Sequence, residues 1–419
     1  MLIGSAVSDD SQTKEITGAI TRFAERDIDG CRAILERARG NNPKLPPPGV
    51  MMAMLWRSVN QLAPARAELE DTAVKFPGDP EPYLMLGDLA MAERRITDSA
   101  VLFEKGTELT KSFNENPKRK RNFDIRCNAG NCAVCVERKQ WDKAQQYLAT
   151  WIELDPDNAF ARFRLGEVLF RLGKESEALA AFQEARKIDP KTQQLPELNM
   201  AVLSNRDGDK DATKKWIAAA IKAAPKDPAV LLQSAEWYIG QNDLDAAKKI
   251  AEDALQIDPK SLGARLTRGS IARVARDYAT AEKFLNEAHV QSPGNFGASN
   301  SLALVLIEMD DKEKRQRAVE MAEANAAMHR ENSPQQVNAL TTLAWVYYKM
   351  GRREDAEKIL DQIARNNALT QDGAFYVAKL LSDRGEKDRA RKILEEVLAK
   401  DVMFATRNDA TELLATLKN

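Results

Sequence analysis

Three cysteines and a short run of cations are the residues whose types and spacing suggest chemistry. Cys127, Cys132 and Cys135 stand in the C-x4-C-x2-C spacing found at some iron–sulfur sites. On a helix, at about 100° per residue, Cys132 and Cys135 share a face while Cys127 lies roughly 140° round from Cys132, so three thiolates converge only if the helix is broken. Zinc and cluster sites normally take four ligands. The remaining cysteine, Cys31, and the two histidines, His289 and His329, lie far from this trio along the chain. The trio therefore reads first as small side chains packed in a core, with a redox-sensitive pair at Cys132 and Cys135 as the second reading; no metal and no cofactor are expected, and nothing calls for an oxidising compartment.

The cations Lys118, Arg119, Lys120 and Arg121, followed by Arg126, form the one strongly charged island. Such a run can contact phosphates or serve as a targeting signal. Without interleaved aromatics or a broader basic face it reads as a solvated loop, and nucleic acid is not the expected partner. The whole chain carries 62 basic and 63 acidic residues, which gives no global attraction to nucleic acid or membrane. Catalytic signatures are missing: there is no glycine-rich phosphate loop, no G-x-S-x-G turn and no H-E-x-x-H, and two histidines offer no Ser/His/Asp set. An enzyme is not expected.

The elements that carry these residues follow a period. Pro156, Pro190, Pro225, Pro259 and Pro293 succeed one another every 34 or 35 residues. Small residues keep step with them at Gly166, Ala201, Ala235 and Gly269, at Ala144, Ala178, Ala247 and Ala281, and at Ala185, Ala220, Ala254 and Ala288. Within one period, Phe163, Leu165, Gly166, Val168 and Leu169 and then Ala178, Ala181, Phe182 and Ala185 mark two amphipathic helices, broken at Arg171 to Lys174. Gly166 and Ala178 are the closest-approach points, where two axes come to the short end of the roughly 8–10 Å packing range while Phe182 fills the space beside them. Proline closes the second helix because it lacks an amide donor and pushes its predecessor out of the helical region. One such hairpin cannot bury its own apolar face, so hairpins must stack.

This pattern resembles the tetratricopeptide repeat, and the stretch Arg162 to Pro190 carries it almost whole as Leu165-Gly166, Ala178, Phe182, Ala185 and Pro190. The resemblance implies an all-α, right-handed superhelical solenoid of stacked antiparallel helix pairs. It covers nearly all of the chain as about eleven repeats. The partition expected is an N-terminal extension at 1–11, repeats one to three at 12–113, an irregular basic linker at 114–124, repeats four to eight at 125–295, repeats nine to eleven at 296–404, and a capping helix at 405–419. Cys31, Leu35, Ala38 and Pro43 mark the first repeat, Leu343-Ala344, Tyr347, Ala356 and Leu360 the tenth.

In this family the first helices of successive repeats line a concave groove that holds a peptide or helix. Counting from the Gly166 column, the groove-facing positions are unusually apolar: Met54, Leu84, Met91, Phe163, Phe170, Leu198, Leu232, Ile239, Trp345, Tyr348 and Phe375 are the expected partner-binding residues, with Val50, Val202, Leu304 and Ile307 beside them. The lysine and asparagine set that clamps a terminal carboxylate in chaperone-binding relatives is missing. The expected function is a non-catalytic protein-interaction scaffold that binds a helical or extended apolar segment of a partner. Two alternatives stand beside it: a self-associating component of a bacterial cell-envelope secretion or polysaccharide assembly, and weak nucleic-acid binding through the basic island. No run of 18 or more apolar residues occurs, so no transmembrane segment is expected. The opening Met1-Leu2-Ile3-Gly4-Ser5 does not read as a secretory signal, which points to the cytoplasm, or to the envelope if a leader or anchor precedes it.

Overall fold

The computed structural model describes residues 10–328, 333–363, 369–399 and 402–418. His329 and residues 1–9 of the expected extension lie outside it, as do the side chains of 10–14 and 360–362, Leu360 among them. All regular elements among the described residues are α-helices. None of them is long and apolar enough to cross a membrane.

The chain divides between Trp216 and Ile217 into two compact bodies. The N-terminal body holds α1 (Asp10–Ala24), α2 (Ile28–Asn41), α3 (Pro48–Ser58), α4 (Leu62–Lys75), α5 (Pro80–Ala92), α6 (Ile96–Ser112), α7 (Pro117–Glu137), α8 (Trp141–Leu154), α9 (Ala159–Arg171), α10 (Glu175–Ile188) and α11 (Pro196–Arg206). The division falls within α12 (Lys210–Ala223). The C-terminal body continues with α13 (Pro228–Gly240), α14 (Leu244–Ile257), α15 (Leu262–Val274), α16 (Tyr278–Gln291), α17 (Phe296–Leu306), α18 (Lys312–Met328), α19 (Pro334–Lys349), α20 (Arg353–Ile363), α21 (Gln371–Asp383), α22 (Lys387–Leu398) and α23 (Arg407–Lys418). Helices pack in consecutive pairs, from α1 with α2 to α9 with α10 in the first body and from α13 with α14 to α21 with α22 in the second, and several first helices of neighbouring pairs also touch, as α5 does α7 and α19 does α21. α23 lies against α21 and α22.

The local reasons repeat from pair to pair. The periodic prolines stand two residues past the second helices: α8 ends at Leu154 before Pro156, and α14 at Ile257 before Pro259. A side chain then caps the next first helix, as Asn158 accepts from the amide of Ala161 at 2.9 Å and Asp227 from that of Ala229 at 2.9 Å. The turn between the helices of a pair needs one residue in the left-handed region, which Gly173 supplies with φ +74°. The small-residue columns are buried throughout: Ala144, Ala178, Ala247 and Ala281 have no exposure, nor do Ala303, Ala344 and Ala378. A Cβ on Gly166 would stand 2.6 Å from the Phe182 ring, and one on Gly269 2.5 Å from Leu285.

One expected boundary differs. Residues 117–124, read as part of an irregular linker, are the first two turns of α7, started by the Asn116 side chain accepting from the amides of Lys118 at 3.0 Å and Arg119 at 3.1 Å. The cations fasten this turn to its neighbours. Arg119, 2 % exposed, donates to Asp79 at 2.8 Å and to Glu81 at 2.9 Å on the start of α5. Its guanidinium also sits 5.2 Å from the Phe113 ring centre and 5.1 Å from that of Phe123, with cation–π attraction on both sides. Burial pulls the Arg119 pKa down, but the two carboxylates outweigh it and the group is held charged. Lys120 donates to the Thr110 carbonyl at 2.5 Å, Arg121 to that of Leu154 at 2.8 Å, and Arg126 to Asp88 at 2.7 Å.

The Gly166 contact is directly testable. Gly166→Val drives a branched side chain into the Phe182 ring and should lower stability by about 1–3 kcal/mol in urea unfolding. The same change at Gly294, where a Cβ meets nothing within 4 Å, should leave that packing undisturbed.

Candidate functional site

Two clefts open on the first helices of the N-terminal body. The larger, 610 Å³, is lined by Met54, Met85, Ile125 and the ion pair of Arg126 and Asp88, with Arg119 beneath. The second, 410 Å³, lies between α9, α11 and the 189–195 connection, with Phe160, Phe163, Phe182 and Val202 as its apolar wall and Glu167 and Arg206 among its polar lining. Phe160 is 58 % exposed, a large aromatic left facing water, and its ring lies 6.1 Å from that of Trp151. Phe163 is partly buried, its ring 5.3 Å from Phe182. Phe182 in turn is fixed by the absence of a side chain at Gly166, so the wall of this cleft is set by the packing constraint of the pair beneath it.

In the C-terminal body the corresponding helices turn their aromatics on one another. Trp345 of α19 stacks on Tyr376 of α21 with centres 4.4 Å apart and on Tyr348 at 5.3 Å, and meets the Phe375 ring edge-on at 5.7 Å. Arg273 of α15 donates to Asp372 at 2.7 Å and to the Tyr376 hydroxyl at 3.1 Å. Burial lowers the Arg273 pKa, the adjacent Asp372 carboxylate raises it further, and the net shift is upward. Burial pushes the Tyr376 phenol up, so it stays a neutral hydroxyl.

The expected partner-binding residues divide accordingly. Met54 and Phe163 line the N-terminal clefts, and Met91 and Phe170 are partly buried in the same body. Leu232, Ile239 and Tyr348 are partly buried in the C-terminal body, where Tyr348 donates to Asp383 at 2.6 Å. Four are core residues instead. Leu84, with no exposed surface, fills the space left by the missing side chain of Gly106, and Leu198 is buried in α11. Trp345 and Phe375 are 6 % exposed because the aromatics of α19 and α21 cover each other. Val50, Leu304 and Ile307 are buried too. The column count misses these because it fixes the direction of a side chain from its own helix, whereas burial depends on what lies opposite. It also passed over Phe160, whose exposed ring lies three residues before Phe163, and Asp372, which in the first turn of a helix looks like an ordinary complement to the helix dipole.

The cysteines do not converge. Cys127 packs with Leu84, Phe103, Phe113 and Phe123. Cys132 and Cys135 belong to a different cluster, with Ala144, Leu148 and Trp151, and Cys31 meets Met52, sulfur to sulfur, at 3.6 Å. Burial pushes all four thiols up, and that of Cys132 to about 12. Among the described residues, no three His, Cys, Asp or Glu side chains are placed to hold a metal ion. Of the basic island, Arg119 and Arg126 pair with carboxylates, Lys120 and Arg121 donate to backbone carbonyls and keep their charge, and Lys118 is exposed.

Residues 136–191, 232–296 and 341–405 match the family model for the tetratricopeptide repeat. A TPR repeat-containing protein of Pseudomonas aeruginosa is 27 % identical over 206 residues, which are 48 % of this chain and 33 % of that protein. The match thus spans about a third of the relative's length. Among solved structures, a tetratricopeptide repeat protein from Parabacteroides merdae aligns at 15 % identity and TM-score 0.39, over 71 % of this chain and 99 % of its own. Yeast Tom70 aligns at 12 % identity and TM-score 0.41, over 98 % of this chain and 95 % of its own.

Two outcomes check these assignments. Arg119→Met leaves Asp79 and Glu81 facing an apolar side chain and should destabilise the chain by about 3–5 kcal/mol in chemical denaturation, a loss of fold that a solvated, phosphate-seeking arginine would not cause. Cys132 stays protonated between the ordinary thiol value of 9.0 and about 12, so its contribution to stability is complete below pH 9 and is lost as pH rises toward 12. Cys132→Ala should therefore flatten the alkaline fall in stability relative to the unaltered chain, followed by denaturant titration at successive pH values.

Proposed function

We propose, from the premise that the chain is a protein of tetratricopeptide repeats, that it is a scaffold performing no catalysis of its own and that the clefts of its N-terminal body hold an apolar helical or extended segment of a partner protein. The observation that carries this reading is the 410 Å³ cleft beside α9, whose wall includes Phe160, 58 % exposed, and Phe163. Aromatic anchors in a pocket supply most of the binding energy of such interfaces, and polar rims fix the register. Glu167 and Arg206 at the same cleft offer one charge of each sign, which suits a segment whose polar face also carries both.

The scaffold reading places selectivity in shape and apolar pattern more than in net charge. The methionines Met54 and Met85 on the larger cleft are flexible enough to fit more than one side-chain shape. Arg119 and Arg126 of the basic island are paired with carboxylates, and the three cations left, Lys118, Lys120 and Arg121, are too few for the broad basic face that nucleic acid needs.

Capture of partners from native lysate at moderate salt, with the unaltered chain beside Phe160→Asp, tests the reading. The expected result is a partner held by the unaltered chain and lost with the variant, at unchanged helicity and melting temperature, since removing a buried aromatic anchor costs about 2 kcal/mol or more of binding. A partner set that does not change with the variant sinks the assignment of this cleft.

A further inference from the structure

In the C-terminal body the first helices are bridged by the chain itself. Between α22 and α23, residues 402–404 run without regular structure, and the Met403 amide donates to the carbonyl of Gly240, the last residue of α13, at 2.8 Å. The final carbonyls of a helix have no partner within it, so this oxygen is a ready acceptor for a main-chain donor from another segment. Val402 touches Gly240, its Cγ1 3.4 Å from where a Cβ would stand. Phe404 is 6 % exposed and joins the core of the body. Thr406 then makes two bonds to one oxygen of Asp372, from its amide at 2.9 Å and its hydroxyl at 2.8 Å, while the other oxygen of that carboxylate is held by Arg273 at 2.7 Å.

These are contacts of the kind a bound peptide makes: a main-chain bond to a main-chain acceptor, an aromatic anchor in a pocket, and a hydroxyl read by a fixed carboxylate. They differ from the side-chain packing across small-residue columns that joins the helix pairs. The receptor side is organised independently of the segment, because Asp372 is oriented by Arg273, which also holds Tyr376.

We propose that Gly240, Arg273 and Asp372 define a binding site for an extended segment, and that residues 402–406 occupy it in cis as a resident ligand that a partner segment can replace. The replacement carries the same elements: two adjacent apolar residues, an aromatic directly after them, and a threonine or serine two positions beyond the aromatic. A ligand tethered in cis acts at an effective concentration in the millimolar range, so the site is closed in the isolated chain and opens to a partner when the tethered segment is weakened. The site lies in the C-terminal body and stands or falls apart from the Phe160 cleft.

The test uses the full chain and a fluorescent peptide of residues 402–410. Met403→Pro removes the amide donor and Thr406→Val the hydroxyl, while Gly240, Arg273 and Asp372 stay as they are. Each bond lost is worth about a factor of five, so the double variant should bind the peptide about 25-fold more tightly than the unaltered chain, by fluorescence anisotropy. Adding Asp372→Asn to the double variant should abolish that gain. A double variant that keeps its helicity and cooperative melting yet binds no better overturns the proposal, as does equal binding by a scrambled peptide. Hydrogen exchange on the unaltered chain gives an independent reading should the variants fail to fold. The Met403 amide should exchange by local opening, faster than the amides of α21; exchange only with global unfolding would make the segment an integral part of the core and overturn the proposal.

Discussion

A side chain added at Gly166 would run into the Phe182 ring at 2.6 Å, and the rest of the structure depends on the constraint that contact expresses. Two helices joined by a three-residue turn must pack closely along their length, and they do so only where one of them offers little or no side chain. Gly87 faces Phe103 and Gly269 faces Leu285 in the same way, with Ser99 adding a bond from its hydroxyl to the Gly87 carbonyl at 3.0 Å. Close packing of the pair turns the large residues of the first helix outward onto the next pair. Stacking follows because no pair can cover that face alone. Within the N-terminal body the clefts, and within the C-terminal body the aromatic cluster and the resident segment, lie against first helices.

What was legible in the amino-acid order is what this constraint writes locally. The prolines two residues past each second helix and the buried columns at Ala144, Ala178, Ala247 and Ala281 are short-range signals, and helix type and pairing follow from them. The start of α7 was not legible because its reason is remote. Four consecutive cations look like solvated chain until Arg119 finds Asp79 and Glu81 some 40 residues upstream and two phenylalanines close over it. A buried charge pair of this kind is weak evidence of net stability, but removing one member strands the others, so it holds the turn in one position.

The same distinction separates the two bodies. The first helices α9 and α19 both carry aromatics at groove-facing positions, Phe163 three residues before the Gly166 column and Trp345 one after the matching Ala344. Phe163 remains at the wall of an open cleft, whereas Trp345 is covered by Tyr376 and Phe375. An apolar stripe left open along a whole chain is an aggregation hazard. In the C-terminal body that hazard is met by self-contact among aromatics, and in the N-terminal body by keeping the exposed edge short, with charged Glu167 and Arg206 in the cleft lining. The column count identified which residues are apolar on this layer but not which are covered, since coverage is decided by residues from other helices.

Coverage of the C-terminal layer has two parts of unequal strength. The stack of Trp345 on Tyr376 joins two long helices, each held by its own partner, and loosens only if a pair moves. The 402–406 segment is irregular between α22 and α23 and is fixed by the Phe404 anchor and by bonds from Met403 and Thr406. Local opening free energies follow the number of contacts a segment must break, so the segment opens well before the helices beneath it. The Arg273 to Asp372 bond survives that opening, because neither residue belongs to the segment. The Gly240 carbonyl and the Asp372 oxygen that had accepted from Thr406 are therefore left in place without a protein donor whenever the segment leaves, which is the condition under which a second segment of the same chemistry can take its position.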